Sequence, residues 1–422
     1  MTRAGKAGWL GWLLAGCAVS CGTACNDDAR RGTQLPPPYA AAPVPLSGCE
    51  AFDYGGCDVR ERRCVENLSG IAACLRGADP TGLPVLSFAS EEEARSILLD
   101  SLMGTAPPNP DYFALVLSQL GLSEPSAFEP EVTAARLAQR WAAFYRRDVA
   151  EVVVIEHAMD PDQLATDALV LHELIHALQD REHSLDAFAR EYQADSDGNL
   201  RGQSVVEGEA QFHEQRLYAA LTGVDAASVD WEQELARQRE ASEQQLFQES
   251  DLYSASLLRV PYAHGCEYAA RVWSDGGPAA LSHLLDAPPR DMRQILARLW
   301  GGVAAQPPPS PVTPSAVGAG ASLQAWSTLG AWGVYLFFRP RLADAEAARE
   351  LALAWRGDRV EAYSLSGARV AGRWSIDFAD GAAATRALSA AAGTPRLRAR
   401  QEGSRLLIET SSSDDPPAEL TP

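Results

Sequence analysis

The residues best suited to chemistry stand in one short stretch, His172-Glu173-Leu174-Ile175-His176. Helical positions four apart lie nearly above one another, so both imidazoles can reach a single tetrahedral zinc ion while Glu173, one step around, faces the water that the metal activates. A catalytic zinc site needs a third protein ligand and an open fourth position. Glu207, in Val206-Glu207-Gly208-Glu209-Ala210, is the preferred third ligand because it begins an amphipathic helix able to pack beside the first. Thirty residues separate it from His176, ample for a helix-loop-helix return. Glu191, in Glu191-Tyr192-Gln193-Ala194-Asp195, is the main rival, with Glu209, Asp195 and Asp197 behind it. An oxyanion donor is also needed, and Tyr262 or His264 is the candidate, Tyr262 being equally readable as a core aromatic. His157, His183, His213 and His283 are assigned no role.

The motif requires a helix, and the local sequence supplies one. Leu169, Val170, Leu174, Ile175 and Leu178 make a buried face, and no Pro or Gly interrupts residues 162 to 180, so a helix is expected from Asp160-Pro161 to about Gln179. Ser90 with Glu93 three residues on predicts a capped helix to about Met103, and a second is expected from Pro130 to Arg147. Val152 to Ile155 reads as a short strand. Helices are expected from Val205 to Leu221 and from Trp231 to Phe247. Beyond a Pro-, Gly- and Ala-rich stretch come a helix (342 to 355), strands (360 to 365 and 370 to 378), a helix (381 to 391) and a hairpin (397 to 409). Arg356-Gly357-Asp358 spells an adhesion tripeptide and is read as ordinary turn chemistry before a strand.

The start of the chain carries Arg3 and Lys6 before an apolar run, Trp9 to Ala15, too short to span a bilayer as a helix. This predicts export, and Leu14-Ala15-Gly16-Cys17 resembles the lipobox of bacterial lipoproteins, which would make Cys17 a lipid-bearing N-terminus. The expected organisation is signal segment and lipobox (1–17), Pro-rich tether (18–48), Cys-rich module (49–80), catalytic core (85–300), linker or loop (301–322), C-terminal α+β unit (323–410) and acidic, disordered tail (411–422). Cys49, Cys57, Cys64 and Cys74 lie in a Gly-rich stretch too poor in apolar residues for a core, so two disulfides are expected there, with three pairings open. A four-thiolate zinc site would need close C-x-x-C pairs, which are missing. Cys21, Cys25 and Cys266 are left over.

Over 422 residues the chain is 46% hydrophobic with a formal net charge of −20, which allows a large core and argues against nucleic acid or an anionic membrane surface as partner. Contact with a membrane is expected only through a lipid at Cys17, in an envelope protein facing the periplasm or held in the outer membrane. Oligomeric state is not legible.

His172-Glu173-Leu174-Ile175-His176-Ala177-Leu178-Gln179-Asp180 resembles the active-site helix of the thermolysin-like gluzincin peptidases, which also carry an Asp four beyond the second His. More closely, the chain resembles a group of bacterial zinc peptidases sharing HExxHALQD, a later EGEA-type segment and Pro-Tyr-x-x-Gly, here Pro261-Tyr262-Ala263-His264-Gly265. The likeness covers roughly residues 130 to 390, including Pro288 to Leu296 and Trp355 to Arg359; the His-Pro usual after Leu296 is replaced by Ala297-Arg298. The resemblance implies a zincin-like α+β fold, predominantly helical, with a short sheet over the active-site helix. It implies one Zn2+ per chain held by His172, His176 and Glu207, support from Asp180, and hydrolysis of a peptide or protein substrate with Glu173 as general base. Two alternatives stand beside it: a catalytically silent, metallopeptidase-like envelope lipoprotein that binds a partner, and a non-peptide amidase.

Overall fold

The computed structural model describes residues 15–18, 42–82, 84–103, 110–124, 130–158, 163–302, 309–314, 317–318, 320–366, 369–412 and 420. Expectations for residues 1–14, for most of the tether with Cys21 and Cys25, for Asp160-Pro161 and for most of the acidic tail lie outside these residues. The first half runs β1 (Ala15–Ala18), α1 (Arg62–Arg76), β2 (Val85–Ala89), α2 (Glu91–Met103), α3 (Pro110–Gln119), α4 (Pro130–Arg140), β3 (Trp141–Arg146) and β4 (Glu151–Ile155). Then come six helices, α5 (Gln163–His183), α6 (Leu185–Tyr192), α7 (Ser196–Leu221), α8 (Trp231–Leu246), α9 (Leu252–Ser282) and α10 (Met292–Trp300). The rest is β5 (Ser322–Ser327), α11 (Gly330–Phe338), α12 (Ala345–Ala354), β6 (Trp355–Ser364), β7 (Val370–Phe378), α13 (Gly381–Ala391), β8 (Leu397–Glu402) and β9 (Arg405–Ser411). This is an α+β architecture with two small sheets, and no helix among the described residues is long and apolar enough to cross a membrane.

The first sheet has the order β1-β3-β4-β2, with β2 and β4 parallel and the other pairs antiparallel. Side chains alternate across a strand. Val152 and Val154 therefore join the core containing Leu171, Leu174 and Ile175 of α5, while Val153 and Ile155 join Ala94 and Leu98 of α2 and Leu137 of α4. The sheet is covered by α5 on one face and by α2 and α4 on the other. The Ser90 cap forms as its spacing predicts: Ser90 N and Oγ donate to Glu93 Oε2 at 2.8 and 2.7 Å. The helix expected over Pro130 to Arg147 stops at Arg140 instead. Trp141 to Tyr145 are all buried and Ala143 to Arg146 pair with β4, and a ladder with apolar partners on both faces outweighs the helical propensity of an Ala-containing run. At the edge, β1 pairs Gly16 with Phe144 and Cys17 with Ala143.

The Cys-rich segment is not poor in core after all. Its helix α1, with Tyr54, Val59, Leu68 and Ile71, packs into the same cluster as α5, and disulfides Cys49–Cys74 and Cys57–Cys64 close it. The seventh helix begins at Ser196, nine residues before the expected Val205, because Asp195 caps it by accepting from Gly198 N at 2.9 Å.

The second sheet is antiparallel, β5-β6-β7-β9-β8. Its core joins Trp332, Trp374 and Ile408 to Phe113 of α3 and Ile295 of α10, so the C-terminal strands and the preceding helices share one apolar interior. Arg356-Gly357-Asp358 lies inside β6, which corrects the turn reading. Asp358 is buried and accepts from Leu329 N, Gly330 N and the indoles of Trp355 and Trp374 at 2.8 to 2.9 Å, which also removes it from any adhesive surface.

Candidate metal centre

His172, His176 and Gln179 follow one another by four and three residues, a single stripe on α5; Glu207 and Glu214, seven apart, make a matching stripe on α7. The two helices pack side by side. Glu207 Oε2 then lies 3.3 Å from the Nε2 atoms of both His172 and His176. Ligand atoms held at zinc's usual bond length around a tetrahedral centre stand roughly 3.3 Å from one another. The described ligand atoms of His172, His176 and Glu207 all fall within 4.8 Å of one another.

The other ring nitrogens are occupied. His172 Nδ1 is 2.9 Å from Glu214 Oε2 and His176 Nδ1 is 2.8 Å from Gln179 Oε1. Each acceptor keeps the ring proton on Nδ1 and leaves the Nε2 lone pair facing Glu207, the arrangement a metal-binding imidazole requires. His176 Nε2 is buried and makes no hydrogen bond. Burial pushes the Glu207 carboxyl upward, and His176 and His172 pull it down, to about 2, when their rings turn a proton toward it in place of a metal ion. The residues present fit a zinc ion with two nitrogen ligands and one oxygen ligand. Glu173 is adjacent in the chain and, like both histidines, has no solvent exposure.

The glycines of the EGEA and Pro-Tyr-x-x-Gly segments have a common cause. A Cβ on Gly208 would overlap the backbone of Gly265, and one on Gly265 would overlap Ser204 O. The α7 and α9 backbones touch there, which brings Tyr262 beside the centre: its ring stacks near His172 with centroids 6.2 Å apart. His264, two positions on, is engaged elsewhere. Its Nε2 sits 3.1 Å from Glu243 Oε1 and its ring meets Trp332 edge-on, so it is no oxyanion donor.

The remaining candidates are separated from the histidines. Glu191 is exposed and lines a different cavity with Asp195 and Asp197, and Asp197 accepts from Met292 N. Glu209 is turned toward Arg76 and Gln179. Asp180, expected behind the zinc site, accepts from Tyr145 OH at 3.1 Å and Leu185 N at 2.8 Å and touches neither histidine. The side chains that meet the two Nδ1 atoms are Glu214 and Gln179, which the sequence reading did not single out; the helical arithmetic that paired His172 with His176 reaches Gln179 three residues on and Glu214 seven beyond Glu207.

No protein-family model, no curated protein and no solved structure matches this chain.

Proposed function

We propose that this chain is a zincin-like zinc metallopeptidase that hydrolyses peptide bonds, with one Zn2+ held by His172, His176 and Glu207. The observation that carries the reading is one carboxylate oxygen, Glu207 Oε2, standing 3.3 Å from the Nε2 atoms of both His172 and His176, with each Nδ1 already bound to an acceptor. Zinc bound there supplies Lewis acidity, polarising a carbonyl and making water acidic enough to deprotonate near neutral pH. Glu173 takes that proton and returns it to the leaving amine. Tyr262 is the donor for the developing oxyanion. Export as a lipoprotein is part of the proposal, supported by the Leu14-Ala15-Gly16-Cys17 lipobox and by two disulfides, which persist in oxidising compartments. A chain processed before Cys17 would keep only Cys17 and Ala18 of β1.

One observation favours the second reading, a silent metal-binding module of the envelope: His172, Glu173 and His176 are 0% exposed, so a peptide reaches them only after an opening motion. Metal analysis and cleavage of a broad peptide library, on wild type and Glu173→Gln, decide between the two. The peptidase reading expects one zinc in both proteins and cleavage only by wild type. One zinc with no cleavage by wild type overturns the peptidase reading, and cleavage retained by Glu173→Gln rejects that residue as the base.

A further inference from the structure

The disulfide-bonded segment has no role in the chemistry above, yet its helix ends against the metal centre. Arg76, the last residue of α1, is fully buried at its side chain and holds two carboxylates: Nη1 contacts Glu209 Oε1 on α7, and Nη2 donates to Glu182 Oε2 on α5 at 2.9 Å. Glu209 Oε2 in turn accepts from Gln179 Nε2 at 2.9 Å, and the same amide nitrogen donates to Val206 O at 3.1 Å. With its nitrogen committed to two acceptors, the Gln179 amide has only its oxygen left for His176 Nδ1, at 2.8 Å. The order of donors and acceptors has one direction. The guanidinium orients the carboxylate, the carboxylate orients the amide, and the amide decides which imidazole nitrogen carries the proton.

We propose that Arg76 is a positioning residue for the metal centre, acting through Glu209 and Gln179 on His176, so that the disulfide-bonded segment is part of the site. This rests on the reading of His172, His176 and Glu207 as a zinc site. Stability alone is a poor reason for the arrangement. Arg76 and Glu209 have side-chain exposures of 0% and 1%, and replacing a buried ion pair with packed apolar residues is often neutral or stabilising. The Cys49–Cys74 bridge ends two residues before Arg76, and Ser282 Oγ donates to Arg76 O at 3.2 Å, so the end of α1 is held on both sides.

The test measures zinc affinity by chelator competition, and the visible spectrum after cobalt substitution, in wild type, Arg76→Met, Arg76→Lys and Gln179→Leu. Thermal unfolding of each metal-free protein runs alongside. Positioning predicts that Arg76→Met and Gln179→Leu weaken zinc binding by about 10- to 100-fold and shift the cobalt bands, with Arg76→Lys recovering part of both. A purely structural role predicts lower midpoints with wild-type affinity and spectrum, and that result overturns the proposal. If Arg76→Met fails to fold, Gln179→Leu decides alone, since it leaves the Arg76–Glu209 pair intact; wild-type zinc affinity in that variant refutes the relay. Wild-type protein that takes up no zinc, or His176→Ala that binds it undiminished, instead overturns the zinc site itself, and the relay with it.

Discussion

Glu214 is the residue whose removal separates a prepared imidazole from a merely nearby one. It lies 2.9 Å from His172 Nδ1, and truncating such a partner ordinarily costs a metal site 10- to 100-fold in affinity. Glu214→Ala is expected to lose zinc affinity on about that scale while its metal-free form stays folded; undiminished affinity by chelator competition would contradict the support assigned to it. His213, its neighbour in the chain, gives a pH signature. Burial first, then Arg216 and Arg76, hold its imidazole well below the usual range, so it is neutral in the folded protein. The unfolded chain binds a proton there below about pH 6.5. The sign follows: this contribution to stability is complete above about pH 6.5 and declines as pH falls, at up to about 1.4 kcal/mol per pH unit. Urea unfolding of the metal-free protein between pH 7.5 and 5.5 should show a shallower loss in His213→Gln than in wild type; identical slopes rule the assignment out.

At the scale of elements, the geometry of the proposed metal centre depends on how closely α7 approaches its neighbours. Gly208 meets the Gly265 backbone with no room for a methyl group, so Gly208→Ala forces α7 and α9 apart. Overpacking of this kind costs about 1 to 3 kcal/mol, and here it also moves Glu207, one residue away, relative to α5. Calorimetry and zinc titration of Gly208→Ala are expected to show both losses together; lower stability with unaltered zinc affinity would detach the glycine contact from the site. The Cys49–Cys74 bridge closes a 25-residue separation, and Cys49→Ser with Cys74→Ser should lower stability by about 3 kcal/mol, measured by denaturant unfolding.

For the whole molecule, the deciding fact is that a single apolar cluster joins Phe113 of α3, Ile295 of α10, Trp332 of α11 and Ile408 of β9. Residues 309 to 312, within the stretch expected to be a linker, are pinned to β6: Ser310 N donates to Arg356 O at 2.8 Å and Val312 is buried. A chain ended at Gly302 would leave the α3 and α10 faces without partners, an apolar surface of the kind that aggregates. Expressed alone, residues 42–302 should be insoluble or lack a cooperative thermal transition. A soluble fragment with a sharp transition would mean that the C-terminal unit is a dispensable addition.

What could be determined from sequence was what lies within a turn or two of helix or one alternation of strand. The four-residue step from His172 to His176, the Ser90–Glu93 cap and the outlines of β4, β7 and α13 are local, so periodicity and capping chemistry reveal them. Trp141 to Tyr145 read as helix because propensity is local too, while burial on both faces of a sheet is not. The same limit governed the site: the sequence preferred Glu207 to Glu191 and Glu209 because it begins an amphipathic helix, but spacing only permitted that choice, and it is the packing of α7 on α5 that turns Glu207 to the imidazoles, Glu209 to Arg76 and Glu191 to the surface. Ligand choice is a matter of which helical face meets which, and contacts between residues 30 or 100 apart in sequence decide that.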